Sequence, residues 1–330
     1  VLINRDLCRT GIISGIAHCG KSFTVKREAL NKLMNSNEDV LIITRQKKPY
    51  EVFAEKVEGK MFPSEHVDFY QLSQDERMKA LIFETFMIND AGLHTKRLSS
   101  LRKKTNMENM KREAGLLSHF NTWNEAVRGI NVDKQSFSSF MSALRKGHEE
   151  KKDYMTGFKK EASFINDAHR LKIVNIENDA ELVISMASAL KYIKRAEEQG
   201  RKVNVFVDSV DGLFFSTVGS DYIAAFMDEV RESNSSATVV IQDAVRIFTN
   251  QDAKIEYELF LDNVDYYKLL AQGPIGRQSY VDKLNIPTSL VPYLTDREPG
   301  EGVIITPAEN VAFNDRFENQ TDAFYKLFYM

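Results

Sequence analysis

The chain has 330 residues, 43% hydrophobic and 28% charged, with a net charge of −3, values ordinary for a soluble globular protein with a full core. No run approaches the roughly 18 apolar residues that cross a bilayer, and the N-terminus lacks the charged-then-apolar order of a secretory leader. The two cysteines, Cys8 and Cys19, have no metal-ligand spacing and are too few for a disulfide framework, so a reducing compartment is expected.

The chain begins at Val1, without a methionine, and reaches its first apolar run within about a dozen residues, so further domains are expected upstream. That run, Gly11-Ile12-Ile13, leads into the organising stretch, GIISGIAHCGKSFTVKREALN from Gly11 to Asn31. Gly15, Gly20, Lys21 and Ser22 fall on the spacing G-x-x-x-x-G-K-[ST], and Phe23 to Leu33 has helical character, which is the strand, loop and helix order of a P-loop. The glycines let successive backbone N–H groups face one point, and the helix adds its positive N-terminal end, so a polyphosphate is cradled by the segment Gly15, Ile16, Ala17, His18, Cys19, Gly20, Lys21, Ser22 and Phe23. Lys21 is expected beside the β and γ oxygens of ATP, and Ser22 is expected to offer its hydroxyl to Mg2+. Cys19 is read as a small loop residue, since an adjacent anion disfavours its thiolate.

Asp39 to Thr44 is a β-branched run ended by a turn at Arg45-Gln46-Lys47-Lys48-Pro49, and Val67 to Leu72 is a third candidate strand. From Gln74 to about Ala168 proline is absent, strand-like runs vanish and apolar residues recur at helical intervals. The expected division is therefore a first part of an α/β domain over 1–73, a helical insertion over 74–168, and the second part of the α/β domain over 169–330. Between Lys96 and Lys160 stand 15 Lys or Arg against 7 Asp or Glu, so one segment is basic in a chain that is otherwise acidic. Its His119, Phe120 and Trp123 invite a nucleic-acid reading, against the ordinary one of a solvated bundle face with aromatics in the core. His94, His119, His148 and His169 show no ligand spacing, and no structural metal is expected.

Strand patterning returns at Leu171 to Ile176, followed by an amphipathic helix from Ala180 to Gln199 closed by Gly200 and a strand from Lys202 to Asp208. A helix around Tyr222 to Glu232, strands at Ala237 to Gln242 and Tyr266 to Leu270, a hairpin at Gly302 to Ile305 and Asn310 to Phe313, and a last helix complete the chain. Strands separated by helices of this length argue for a mostly parallel sheet covered on both faces.

Asp208 ends its apolar strand about 190 residues after the P-loop, where it either holds magnesium through water or caps a helix. Gln242 closes the following strand, within reach of a γ-phosphate or merely at the surface. Arg231, on the helix between them, is either a solvated helix residue or an arginine finger toward a neighbouring subunit.

These blocks resemble the C-terminal ATPase domain of the VirB/TraC/TrsE-like conjugation ATPases of type IV secretion systems, particularly those of Gram-positive mobile elements. The similar stretches are Gly15 to Asn31, Asp39 to Ile43, Val203 to Asp208, Arg231 with Ala237 to Gln242, Leu269 to Gln272, and Gly300 to Ile305 continuing to Phe317. The resemblance implies a RecA-like α/β P-loop NTPase domain with an inserted all-α subdomain. It implies an ATP- and Mg2+-dependent homo-oligomer, a hexamer being one form, at the cytoplasmic base of a secretion channel, with other channel components and a coupling protein as partners. Carried over by position, Lys21 and Ser22 serve phosphate and magnesium, Asp208 serves magnesium, Gln242 senses the γ-phosphate, and Arg231 acts in trans. Two departures stand near the reacting phosphate: Thr44-Arg45-Gln46 replaces the Asp-Pro and acidic residue usual after the second strand, and Ser209 replaces the glutamate after the magnesium acid. A serine cannot take a water's proton well at neutral pH, so the resemblance leaves two functions open, a hydrolysing motor and a nucleotide-binding scaffold, with Asp211 as a partial substitute for the glutamate.

Overall fold

A computed structural model describes residues 8–35, 37–65, 161–242, 244–295 and 298–315, together with 67, 78, 81, 82 and 85. Its centre is a nine-stranded sheet in the order β3-β4-β2-β5-β6-β1-β7-β8-β9. The strands are β1 (Thr10–Ser14), β2 (Glu38–Thr44), β3 (Lys60–Pro63), β4 (Leu171–Asn175), β5 (Lys202–Asp208), β6 (Ser236–Ile241), β7 (Tyr266–Leu270), β8 (Glu301–Ile305) and β9 (Asn310–Asn314). All pairings from β3 across to β7 are parallel, and β8 and β9 close that side as an antiparallel hairpin. Parallel strands require covered faces, which explains why β2, β5 and β6 read as continuous apolar runs.

The helices are α1 (Lys21–Leu33), α2 (Lys47–Lys56), α3 (Asp179–Glu198), α4 (Thr217–Glu232), α5 (Ala244–Thr249), α6 (Gln251–Leu261) and α7 (Pro274–Leu284). Because strand side chains alternate between faces, β1 sends Ile13 to a core under α1 and α2, with Val25, Ala29, Tyr50 and Phe53, and sends Ile12 to a larger core under α3 to α7. Phe206 lies in the first of these cores at 1% exposure, and truncating such a residue to Ala costs about 3–5 kcal/mol.

The strands expected at Asp39 to Thr44, Leu171 to Ile176, Lys202 to Asp208, Ala237 to Gln242 and Tyr266 to Leu270 agree with the structure to within a residue or two, as does the hairpin. One local expectation is corrected. The turn after β2 is instead the start of α2, because Pro49 falls in the helix's first turn, where a missing N–H breaks no bond. A strand at Lys60–Pro63, pairing with β4, has no counterpart in the sequence reading; of the strand expected at Val67 to Leu72 only Val67 is described, as an isolated bridge, and the rest lies outside the described residues. Helices α5, α6 and α7 have no counterpart in the sequence reading: α6 leaves Ile255 and Leu259 exposed, and α7 buries only Gly276 and Tyr280, so neither shows a clean apolar stripe in sequence.

Most of the expected insertion over 74–168, with its basic run, Trp123 and three of the four histidines named above, lies outside the described residues, as does the expected last helix. Both described ends of that segment join the main core, through Met78 and Ile82 at one side and Ala162, Phe164 and Ile165 at the other. His169 pairs with Asp167 at 2.6 Å on the surface.

Candidate functional site

The P-loop leaves β1 at Ser14 and enters α1 at Lys21. Its two glycines are required for different reasons. A side chain at Gly15 would lie 2.4 Å from Cys19 Sγ and 3.0 Å from Leu270 Cβ, so the loop can hug β7 only without one. Gly20 has φ +100 and approaches Gly300 N to within 2.8 Å of where its Cβ would be, a left-handed position against backbone. Cross-links fix the loop's base: Ile16 N–H donates to Ala271 O (2.9 Å), Gly300 N–H to Cys19 O (3.1 Å), and Gln272 Nε2 to Ser14 O (2.8 Å). Ile16, Ala17 and His18 form an exposed crest, while Cys19 and Phe23 are buried.

Gly20 caps α1 without a side-chain hydrogen bond, and no acidic residue occupies the helix's first turn. The helix N-terminus therefore keeps its positive end and its first N–H groups for an anion. Lys21 is buried and folds back over the loop, its Nζ donating to Gly15 O (2.8 Å) and Ile16 O (2.7 Å), which holds the ammonium at the loop's mouth. Burial pushes the Cys19 thiol up, so it stays protonated and unreactive at neutral pH, as its reading as a loop residue requires.

Asp208 ends β5, two strands from β1 with β6 between, and is 2% exposed. It is held by neutral donors: Thr44 Oγ1 (3.0 Å), Gln242 Nε2 (3.1 Å) and, more loosely, Ser209 Oγ (3.4 Å). Burial raises its carboxyl above the ordinary range, and the bonds from Gln242 and Thr44 and the charge of Lys21 pull the other way. Gln46 N–H donates to Thr44 Oγ1 (3.0 Å), and Gln46 Oε1 accepts a long bond from Ser22 Oγ (3.4 Å), so the altered stretch after β2 ties Ser22 to Asp208. Tyr50, on α2, is wholly buried beside them, close enough to Asp208 for the aspartate's charge to act on its hydroxyl.

Ser209 sits in the left-handed region (φ 68, ψ 47), and its hydroxyl accepts from Gln242 Nε2 at 2.6 Å. Asp211 Oδ1 accepts the Gln242 backbone N–H at 2.9 Å, so one oxygen of the expected substitute base is spent on positioning Gln242.

The structure thus brings Lys21, Ser22, Asp208 and Gln242 to the carboxyl edge of one sheet, the edge at which doubly wound folds bind ligands. Arg231 is not among them. It lies in the last turn of α4 at the opposite edge, bonded to Thr10 Oγ1 (3.0 Å) at the start of β1 and paired with Asp228 (3.0 Å) and Asp265 (3.5 Å). Any nucleotide it touches must belong to another molecule. Sequence reading did not single out Thr44 and Gln46 as partners of this site, nor Tyr50 or Gln272; the one available signal was that polar residues follow β2 where the similar family has Asp-Pro.

No protein-family model and no curated protein matches the sequence. Among solved structures, VirB4 of Thermoanaerobacter pseudethanolicus is similar over 92% of this chain and 88% of its own, at 17% identity and a TM-score of 0.61. A second solved ATPase domain is similar over 84% of this chain and 72% of its own, at 10% identity and a TM-score of 0.31, too slight a likeness to show a shared architecture. The fold is therefore similar to that of VirB4, an α/β architecture with a mostly parallel central sheet, as the resemblance implied.

Proposed function

We propose that this chain is an ATP-binding and ATP-hydrolysing motor subunit that energises type IV secretion or conjugative DNA transfer. The observation that carries the reading is the convergence of a P-loop ammonium, a hydroxyl, a buried carboxylate and an amide at one sheet edge. In this reading the amides from Gly15 to Phe23 cradle the phosphates, Lys21 neutralises the β and γ oxygens, and Gln242 contacts the γ-phosphate. Ser22 and Asp208 serve magnesium. The oxygen donors present suit it, since it prefers hard oxygens and keeps several waters, and when bound it neutralises the charge that develops on the phosphates. Magnesium held by Ser22 and Asp208 would draw its remaining ligands from phosphate and water.

Arg231 acts in trans in this reading, which requires it to leave its pairs with Asp228 and Asp265 as subunits assemble. The working unit is a homo-oligomer such as a hexamer, meeting channel components and a coupling protein at the cytoplasmic face of the membrane. Among the described residues no helix is long and apolar enough to cross a membrane. The helical subdomain expected over 74–168 is the part proposed to contact DNA. Steady-state turnover by the purified protein tests the motor: ATP hydrolysis above background, lost in Lys21→Ala, is expected, and tight ATP binding with no turnover would refute it.

A second reading, a hydrolysis-impaired scaffold of the same machinery, is favoured by Ser209. Neither its hydroxyl, engaged with Gln242, nor the partly occupied Asp211 is a ready base for water.

A further inference from the structure

Gln46 does not do the work of its position. It is the N-cap of α2, where Ser, Thr, Asp and Asn are preferred because a short side chain turns back onto the helix's first N–H groups, and its side chain makes no such bond. It reaches across to the P-loop helix instead, Oε1 lying 3.4 Å from Ser22 Oγ, and among the described residues that is the one hydrogen bond the side chain makes. Its backbone is held from the other side of the site. The Gln46 N–H donates to Thr44 Oγ1 (3.0 Å), and Thr44 Oγ1 donates to Asp208 Oδ2 (3.0 Å), so Gln46 is tied directly to Ser22 and through one hydroxyl to Asp208. The residue is half-buried and keeps access to solvent. Helix α2 packs through Tyr50, Phe53 and Ala54, so its place in the fold does not depend on the Gln46 side chain.

We propose that Gln46 is a positioning residue for magnesium, its Oε1 accepting the hydrogen bond of the Ser22 hydroxyl so that a lone pair of Ser22 Oγ faces the ion. The inference rests on the reading of this edge as a Mg·ATP site, and it holds for a motor and a scaffold alike, since both bind the nucleotide with its ion. A serine hydroxyl carries one proton and two lone pairs and rotates freely. Coordination uses a lone pair, so the proton must point elsewhere, and an acceptor that fixes it there removes the rotations in which the proton faces the cation. Such outer partners orient a ligating group and are worth about 10–100-fold in metal affinity. The length of the Ser22–Gln46 bond puts this one at the low end of that range.

The test compares Gln46→Ala, which removes the acceptor, with Gln46→Glu, whose carboxylate can only accept. ATP affinity is measured by calorimetry in excess Mg2+ and again in excess EDTA, with the melting temperature of the nucleotide-free protein alongside. Gln46→Ala is expected to lose about tenfold of the tightening that magnesium confers, with EDTA affinity and melting temperature unchanged. Gln46→Glu is expected to keep that tightening at its wild-type size or larger. Full magnesium tightening in Gln46→Ala overturns the proposal. So does an equal loss in both buffers, with or without a lowered melting temperature, which marks a residue that shapes the loop and not the ion's place. A Gln46→Glu as weak as Gln46→Ala overturns it too, because an acceptor at that position is then not what matters. Two controls separate these failures from failure of the site itself: wild-type ATP affinity in Lys21→Ala removes the nucleotide site, and equal wild-type affinity in both buffers removes magnesium from it. A Gln46→Ala failure in a protein that passes both controls removes only the role of Gln46.

Discussion

Two aspartates at opposite edges of the sheet are both buried and are treated in opposite ways. Asp39, near the start of β2, is 0% exposed and is met by Arg201 NH1 at 2.6 Å and the Tyr192 hydroxyl at 2.6 Å, with Lys172 Nζ 2.7 Å from that same hydroxyl. Its charge is compensated by side chains of the same chain. Asp208, at the end of β5, has only neutral donors bonded to it, and the cation that acts on it, Lys21, is bonded to the P-loop carbonyls. A buried carboxylate without an ion pair costs stability, and the raised pKa of Asp208 records that cost. The lesson is that the amino edge of this sheet uses charge for structure, while the carboxyl edge leaves charge available for something outside the chain.

The largest expected effect comes from adding charge to the second edge. Ser209→Glu should raise kcat by about 10²–10⁴, the usual worth of a positioned general base, with little change in ATP affinity. Glutamate meets no backbone penalty that serine does not already bear at φ 68, so the variant should fold. No gain in single-turnover rate would mean either that Asp211 or another group already supplies the base or that further parts of the site are lost, and only the first predicts that activity collapses in Asp211→Ala.

Removing charge from the first edge should cost stability and nothing else. Asp39→Ala removes the acceptor of Arg201 NH1 and of the Tyr192 hydroxyl proton, a loss of about 3 kcal/mol by urea unfolding, the low end for a broken buried pair because Arg201 keeps some solvent contact. ATP affinity should hold; if it fell while stability did not, the two edges would not be separable in this way.

Next in size is Lys21→Ala, expected to weaken ATP binding by about 1.5–3 kcal/mol or more, the worth of one charge-assisted contact at a desolvated phosphate. Unchanged calorimetric affinity would remove the P-loop from the functional edge.

Asp208→Asn should invert the Asp39 result. Because the folded pKa is raised, the native state holds the proton while the unfolded chain loses it as pH rises past about 3.9, so this group's contribution to stability falls with rising pH. The variant, free of that term, should melt no lower than wild type at pH 7 yet lose magnesium-dependent tightening of ATP. A clearly lower melting temperature would make Asp208 a structural residue like Asp39.

A last effect, read as a change with pH, concerns Lys172, 0% exposed, whose pKa burial lowers to about 8. Between that value and the ordinary one near 10.4 the native state binds fewer protons than the unfolded chain, so stability should rise with pH. Lys172→Met should abolish that rise, measured as unfolding free energy at pH 7.5 and pH 10.

By itself the sequence determined the P-loop, the α/β class and most of the sheet, because a parallel strand buried on both faces must be a continuous apolar run and a phosphate-cradling loop must place glycine at fixed positions. Lys21 and Ser22 were legible from the spacing of that loop, and Asp208 and Gln242 from standing at the end of such a run. What the sequence did not carry is adjacency across it. That Gln46 reaches Ser22 and that Thr44 and Gln242 share Asp208 follow from which strands lie side by side, and strand order is set by the packing of both faces at once. The place of Arg231 is the clearest case: a helix runs antiparallel to the strand before it, so a residue in its last turn returns to the far edge, a direction that spacing along the chain does not show.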